Sequence, residues 1–373
     1  MDSNQVLIIS GTPIISGAEI VLGDYLRETQ HTNKITIIYS DIETVNNFYK
    51  QFNFNKSITS KFLIPAHATS GLLGLVHKAY RLAMSFFVLA KVLSNKKITV
   101  VLGNNTGDIF YSFYSFLFKK THINYIHDMI EQGTLLAKWI LFFDRFVSKY
   151  IAVSDAVKKA LVTIGIPEHK IVIVYNGLTP NSTYLKKEIN NEMIFGFIGN
   201  IDELKNPLDF THFIKQASIT KNIKISGRMV YGSILDQQLF KKVQQVIKAE
   251  QLSIELIGRL DRPSISKFYE SIHFLIITSK KDSLPTVILE AFNHGVPVIA
   301  HSIDGIPEMV EHEKNGFLYK KIENIDSIIK SLNLINYTDL QSNAKATINE
   351  KFLNSSKIKS INALLRFPEQ HDE

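Results

Sequence analysis

No cysteine occurs in the 373 residues, which excludes disulfides, thiolate metal sites and cysteine nucleophiles together. The absence suits a reducing compartment. Long apolar runs are missing as well: the densest patch, IFYSFYSFLF at 109–118, falls far short of the roughly 20 residues a spanning helix requires. The opening residues, MDSNQVLIISG, enter a strand-like run without the basic flank and apolar stretch of a signal peptide, so a cytoplasmic protein without a membrane span is expected. No GxGxxG follows a strand, which gives a dinucleotide dehydrogenase little support. There is no internal repeat and no low-complexity tract. Finally, residues 51–100 contain no acidic side chain at all.

What is present is the composition of a globular protein, 45% hydrophobic and 21% charged. Its length favours two domains. The net charge of +7 is uneven: residues 1–180 hold 18 Lys/Arg against 12 Asp/Glu, and residues 181–373 hold 24 against 23. Seven basic residues (Lys56, Lys61, Lys78, Arg81, Lys91, Lys96 and Lys97) lie in the acid-free stretch 51–100. Such a field attracts nucleic acid, an anionic membrane or an acidic acceptor, or is only a solvated lysine-rich face. Nucleic acid is the weakest of these readings, because no recognition motif accompanies the charge.

Two series of short, Ile- and Val-rich runs alternate with helical patterns. The first series, 5–10, 34–40, 98–103, 122–127, 150–154 and 170–177, reads as buried parallel strands. Helices are expected over 69–94, 131–148 and 154–164, the last with Ser154 as N-cap. The polar stretch LTPNSTYLKKEINN (178–191) reads as a linker, bounded at 181–192. A second series follows at 193–200, 222–227, 253–258, 273–279, 296–302 and 315–319, and helical patterns over 324–334, 338–350 and 355–365 close the chain. Two consecutive βα arrays predict an α/β protein of two Rossmann-like domains facing a central cleft.

Ligands of such sheets bind where strand ends turn into helices, so those loops hold the candidate residues. Gly17 precedes a helix after the first strand, where backbone N–H groups could approach a phosphate or a sugar; it could also serve the turn alone. After strand 193–198, Gly199 permits close approach, and Lys205 stands where a cation could neutralise a diphosphate. By itself Lys205 is an ordinary surface lysine. The passage HFLIITSKKDSLPTVILEAFNHG (273–295) is richer: strand, turn, then a helix ending at Gly295. Ser283, Leu284 and Thr286 surround the helix start, where free N–H groups and the dipole make an anion site. Glu290 could accept from two adjacent ribose hydroxyls, and Asp282 could touch a polyhydroxylated group beside the phosphate. The alternative is a turn cap at Asp282 and a solvent-facing Glu290.

Asp282 and Glu290 with seven residues between them, then Ala291 and the Gly295-x-Pro297 turn, resemble the signature of the GT-B retaining glycosyltransferases of family 4. Asp282 stands where that family usually has Glu. SGAE (16–19) resembles the family's first loop, and VSDAVKKALVTIGIPEHKIVIVYNGL (153–178) its late N-domain stretch. GNIDELKN (199–206) keeps Lys205 but has Asn200 where the family has Arg, and DGIPEMVEHEKNGFLY (304–319) resembles the closing motif.

The resemblance implies a GT-B fold: an acceptor-binding domain over 1–180, a linker over 181–192, a nucleotide-sugar domain over 193–350, and a C-terminal helix in 351–373 with packing back across the junction as one option. It implies Glu290 on the ribose, Lys205 and Asn200 near the diphosphate, and the N–H groups of Thr286 and Val287 on the distal phosphate. Asp282, Ser283 and Leu284 would meet the donor sugar, Arg259 the base, and His127 and Asp128 the reacting centre on the acceptor side. No metal or cofactor is implied; the nearest sequence to Asp-x-Asp, DIE at 41–43, lies in the first array. The expected function is a retaining transfer of a hexose-type sugar from a nucleotide-diphosphate sugar to a glycan or lipid-linked acceptor in surface polysaccharide synthesis. The basic stretch 51–100 would then touch an anionic membrane from the cytoplasmic side. The competing readings are a GT-B-fold sugar-nucleotide epimerase and a catalytically silent glycan-binding relative.

Overall fold

Runs of Ile and Val without polar alternation form parallel strands because both faces of each sheet are covered, and their branched side chains pack well on a pleated surface. The computed structural model describes residues 5–63, 72–182, 184–220, 223–332 and 336–367. Residues 69–71, 222, 333–334 and 368–373 of the expected elements, Thr183 of the expected linker and the side chain of Lys78 lie outside the described residues.

The chain divides into one unit of Met1–Asn176 with Asn354–Glu373 and a second of Gly177–Leu353. In the first, β1 (Gln5–Ser10), β2 (Ile35–Ser40), β3 (Lys56–Ser60), β4 (Ile98–Gly103), β5 (Thr121–Ile126), β6 (Lys149–Ala152) and β7 (Ile171–Ile173) form one sheet. Its order is β3-β2-β1-β4-β5-β6-β7, with every pair parallel. In the second, β8 (Glu192–Ile201), β9 (Lys224–Ile234), β10 (Ile254–Gly258), β11 (Phe274–Ile277), β12 (Val298–His301) and β13 (Gly316–Tyr319) follow the order β10-β9-β8-β11-β12-β13, again all parallel. Both contain the doubly wound order 3-2-1-4-5-6. The strand order therefore reverses between β1 and β4 in one unit and between β8 and β11 in the other, where such folds take ligands. The expected pair of Rossmann-like domains is present.

The second core is rich in phenylalanine: Phe195, Phe197, Phe210, Phe213 and Phe274 are all buried, and each stabilises by about 1.5–3 kcal/mol relative to an exposed ring. They hold β8 and β11, whose ends carry the candidate site. The last helix, Asn354–Leu364, belongs to the first unit: Ile358 and Ile361 are buried and Tyr25 Oη donates to Asn362 Oδ1 at 2.8 Å. Ser154 caps its helix as expected, accepting from Val157 N at 3.2 Å.

Three features differ from the expectation. Strand β3 gave no signal, because KSITS is a polar, largely exposed edge strand. Strand β9 extends to Ile234, well beyond residue 227. Residues 181–192, polar enough to read as a linker, pack on the second unit: Lys187 Nζ donates to the carbonyls of Tyr269 (2.9 Å) and Ile272. These lie at the end of helix Arg262–Ser271, where a cation complements the dipole.

Candidate active site

The loops after β8 and β11 are stitched together at the point where the strand order reverses. Asp202 Oδ1 accepts from Lys205 N at 2.7 Å, Thr278 Oγ1 donates to Lys205 O at 2.7 Å, and Lys280 N donates to Leu204 O at 2.7 Å. These bonds aim the Lys205 side chain at Asp282, with Nζ 2.5 Å from Oδ2. Lys205 remains 33% exposed and Asp282 11%, so the ammonium can also reach a ligand from solvent. A Cβ at Gly199 would sit 3.2 Å from Lys205 Cγ. Gly199 thus makes room for the lysine stem, a role its sequence position did not indicate.

Asp282 is held at its backbone as well. Its N–H donates to Asp304 Oδ2 at 2.8 Å, and its carbonyl accepts from Gly305 N at 3.2 Å. Burial pushes the Asp304 carboxyl up, and the Asp282 charge adds to this. Helix Thr286–Asn293 begins four residues on, with Pro285 at its N-cap and no side chain capping it. Among the described residues the N–H groups of Thr286 and Val287 have no acceptor, which leaves the helix start open to an anion. Leu284 is buried and Ser283 half-buried in the preceding turn.

One turn into that helix, Glu290 is half-buried rather than solvent-facing. Tyr269 Oη donates to its Oε2 at 2.9 Å, and the Tyr269 ring stacks on His294 at 5.1 Å. Burial, and then the Glu290 charge, raise the Tyr269 phenol well above its ordinary range, so it remains a donor. Gly295 ends the helix at φ +64, and a Cβ there would meet the Tyr184 ring at 2.3 Å.

Two expected donor-side residues do not join this cluster. Asn200 sits at a register shift between β8 and β9, and its Oδ1 accepts from Ser233 N at 3.1 Å, so its amide oxygen serves the sheet. Arg259 is exposed just past β10, an edge strand two places from β8, and among the described residues it forms no hydrogen bond or ion pair with Lys205, Asp282 or Glu290.

In the first unit, Gly17 opens helix Gly17–Glu28, and a Cβ there would meet nothing within 4 Å, so packing does not demand glycine at this exposed position. His127 and Asp128 follow β5. The His127 ring lies 4.1 Å from that of Tyr125, and burial lowers its pKa to about 4, with Asp128 opposing and Lys357 reinforcing the shift. The imidazole is therefore neutral near pH 7. Asp128 Oδ2 accepts from Thr106 Oγ1 at 2.9 Å.

Two buried carboxylates at the β1/β4 reversal escaped the sequence reading. Glu19 Oε2 accepts from Ser16 N (3.1 Å) and Ser16 Oγ (2.6 Å), and its Oε1 from Ser10 Oγ (3.3 Å) and Asn105 Nδ2 (3.1 Å). Asp108 accepts from Gly11 N at 3.2 Å and Asn105 N at 3.0 Å, and burial raises it to about 8. The Ser-x-x-Glu spacing of Ser16 and Glu19 is a helix-start signature that could have shown the first; nothing marked the second. Tyr269 gave no signal, and Asp304 was read only as the first residue of the closing motif, without its hold on Asp282.

Two doubly wound units in one chain, with Lys205, Asp282 and an open helix start at the second reversal point, place the molecule among the GT-B-fold proteins. The family comparisons agree. Residues 184–348 match the model of the glycosyl transferases group 1, and residues 61–182 that of glycosyltransferase family 4. The chain belongs to these glycosyltransferases. An uncharacterised glycosyltransferase of Methanocaldococcus jannaschii is 29% identical over 47% of this chain and 46% of its own length. The UDP-Gal:alpha-D-GlcNAc-diphosphoundecaprenol alpha-1,3-galactosyltransferase of Escherichia coli is 26% identical over 53% of this chain and 54% of its own. The chain thus spans about half the length of these curated relatives. HepE of Anabaena, solved with UDP and glucose, superposes with a TM-score of 0.79 at 19% identity, covering 97% of this chain and 99% of that one, and shows the common fold.

Proposed function

We propose that the chain moves a hexose-type sugar, with retention of anomeric configuration, from a nucleotide-diphosphate sugar to a glycan or lipid-linked acceptor in surface polysaccharide synthesis such as O-antigen or capsule. The observation that carries this is the convergence of Lys205, Asp282 and the open helix start at Thr286 on the β8/β11 reversal point. Transfer breaks the bond from the anomeric carbon to the diphosphate oxygen, which keeps the electron pair. A cation and a helix N-terminus aimed at that oxygen stabilise charge that grows in the transition state. The acceptor hydroxyl oxygen forms the new bond on the same face, and its proton passes to the departing diphosphate, so no enzyme nucleophile is required.

Lys205 and the N–H groups of Thr286 and Val287 take the diphosphate, and Glu290 takes the ribose hydroxyls. Asp282, Ser283 and Leu284 line the transferred sugar, with Gly199 and Asn200 in the surrounding loops and Arg259 towards the base. Neutral His127, with Asp128, serves the acceptor side; an uncharged imidazole can donate to a sugar hydroxyl without opposing oxocarbenium charge. UDP-Gal, named for the E. coli relative, and the UDP and glucose bound to HepE make uridine diphosphate sugars the first donors to try. The undecaprenol diphosphate acceptor of the E. coli relative supports a lipid-linked acceptor here. It agrees with a peripheral position on the inner face of an anionic membrane, to which the basic segment 51–100 contributes; no helix among the described residues is long and apolar enough to cross one. No metal or cofactor takes part in this scheme.

Incubation with donor sugars and a lipid-linked glycan, followed by NMR of the product's anomeric centre, tests the proposal. Retention is expected. An inverted product, or return of the nucleotide sugar with one carbon epimerised, would overturn it.

A further inference from the structure

One face of the first unit exposes more apolar surface than a solvated face requires. Helix Leu72–Leu93 turns Leu89 into the core and leaves Val76 (62% exposed), Tyr80 (55%) and Phe87 (69%) outside, at helical spacing on one side. Phe86, by contrast, packs against the core beside Leu89. Beneath this stripe, inward-facing Phe86 lies 5.1 Å from buried Tyr114 and so packs the helix against a second cluster, in which Tyr114 is 6.2 Å from Phe113 and both Phe113 and Phe116 are 5.2 Å from Phe146. Phe116, Leu117, Leu141 and Phe142 are all more than two-fifths exposed.

Most of the exposed charge on the segments that carry this patch is positive. From residue 51 to 127 the only acidic side chain is Asp108, and it is buried. Lys91, Lys119, Lys138 and Arg145 are exposed around the rings, and none has a carboxylate partner among the described residues. The Arg145 guanidinium lies 5.0 Å above the Phe142 ring and 6.0 Å from the Phe146 ring. Of the acids beyond residue 127, Asp144 is bound to Lys170 at 2.9 Å, and exposed Glu131 precedes helix Leu135–Phe143. Aromatic and aliphatic side chains ringed by unpaired cations match the boundary of an anionic bilayer, where rings enter the acyl edge and cations meet phosphates.

We infer that Val76, Tyr80, Phe87, Phe116 and Phe142, with Lys91, Lys119 and Arg145, form the surface by which this chain docks on an anionic lipid bilayer. This deepens the membrane contact proposed above and moves its centre from the charges of 51–100 to the rings of 113–146. A lipid-linked acceptor would then be met by an enzyme already seated on its membrane.

Co-sedimentation of the full chain with phosphatidylglycerol–phosphatidylcholine vesicles, at low salt, tests this. Binding is expected to these vesicles and not to pure phosphatidylcholine. The pair Phe116→Ser and Phe142→Ser should weaken it by roughly tenfold or more, and Arg145→Glu by a smaller factor that vanishes at high salt. All three side chains are exposed, so unchanged melting temperatures will show that the variants fold. If charge reversal at Lys56, Lys61, Lys96 and Lys97 abolishes binding while the ring variants bind normally, the patch is refuted and membrane contact through 51–100 stands. No binding by the wild type refutes both. A dimer in gel filtration that the ring variants dissolve makes the face a protein interface and also overturns the inference. Transfer to a water-soluble acceptor, unaffected by the ring variants, reports separately on the proposed reaction.

Discussion

At Tyr269 one hydroxyl joins two helices, donating to Glu290 Oε2 at 2.9 Å and to Val287 O at 3.3 Å. A hydrogen bond to a carboxylate contributes about 1.5–3 kcal/mol, enough to hold Glu290 in one rotamer. Tyr269→Phe should therefore weaken the bound nucleotide by roughly tenfold, and the loss should vanish with the 2′,3′-dideoxyribose analogue, which offers Glu290 nothing. Equal losses for both nucleotides in a calorimetric titration would show that Tyr269 only supports the fold. His127 yields a pH prediction at the same scale. Its pKa is depressed by burial to about 4, so its contribution to stability is present above the ordinary value of 6.5 and is lost as pH falls through about 4. The profile of kcat/KM should carry no histidine limb between about pH 5 and 8, and a limb near 6.5 that His127→Gln removes would contradict the assignment.

At the scale of elements, the strands were legible because burial on both faces writes each one as an unbroken Ile/Val run. Polar β3 was not, and neither was the docking of 181–192, since Tyr184 and Lys187 resemble loop residues until helix Arg262–Ser271 and Gly295 are placed beneath them. The site was most legible where chemistry needs a residue type at a strand end: Lys205 and Asp282 meet at the β8/β11 reversal, and the start of the helix that carries Glu290 follows four residues on. It was illegible where one side chain serves another, as Asp304 serves Asp282 and Tyr269 serves Glu290. Asn200, taken for part of the phosphate site, has its amide oxygen bound to Ser233 N. Gly295 offers a test of the helix end. Gly295→Ala adds a Cβ 2.3 Å from the Tyr184 ring at φ +64 and should cost about 1–3 kcal/mol in urea unfolding. Tyr184→Ala in that background should relieve the clash and leave only the backbone strain.

For the molecule as a whole, the last helix closes the first unit, so its burial can be read through pH. Lys357 on that helix is 2% exposed, and burial lowers its pKa from 10.5 to about 8. Between those values the unfolded chain holds a proton that the folded one has released, so stability rises with pH across the window; below about 8 the folded state bears the full cost of the buried charge. Lys357→Met should flatten that rise and add up to about 3 kcal/mol at pH 7. A wild-type melting temperature that falls between pH 8 and 10.5 relative to the variant would contradict the burial of this amine. The central claim is that the second unit seats a nucleotide-diphosphate sugar against Lys205, Asp282 and Glu290. Its most direct measurement is the melting temperature of the wild type, Lys205→Ala and Glu290→Ala in the presence of UDP-, GDP- and ADP-sugars, since a ligand bound to the native state raises the midpoint. One nucleotide family should raise the wild-type midpoint, and at the same concentration each variant should lose most of that rise. No shift with any nucleotide sugar, or equal shifts in all three proteins, would contradict the account.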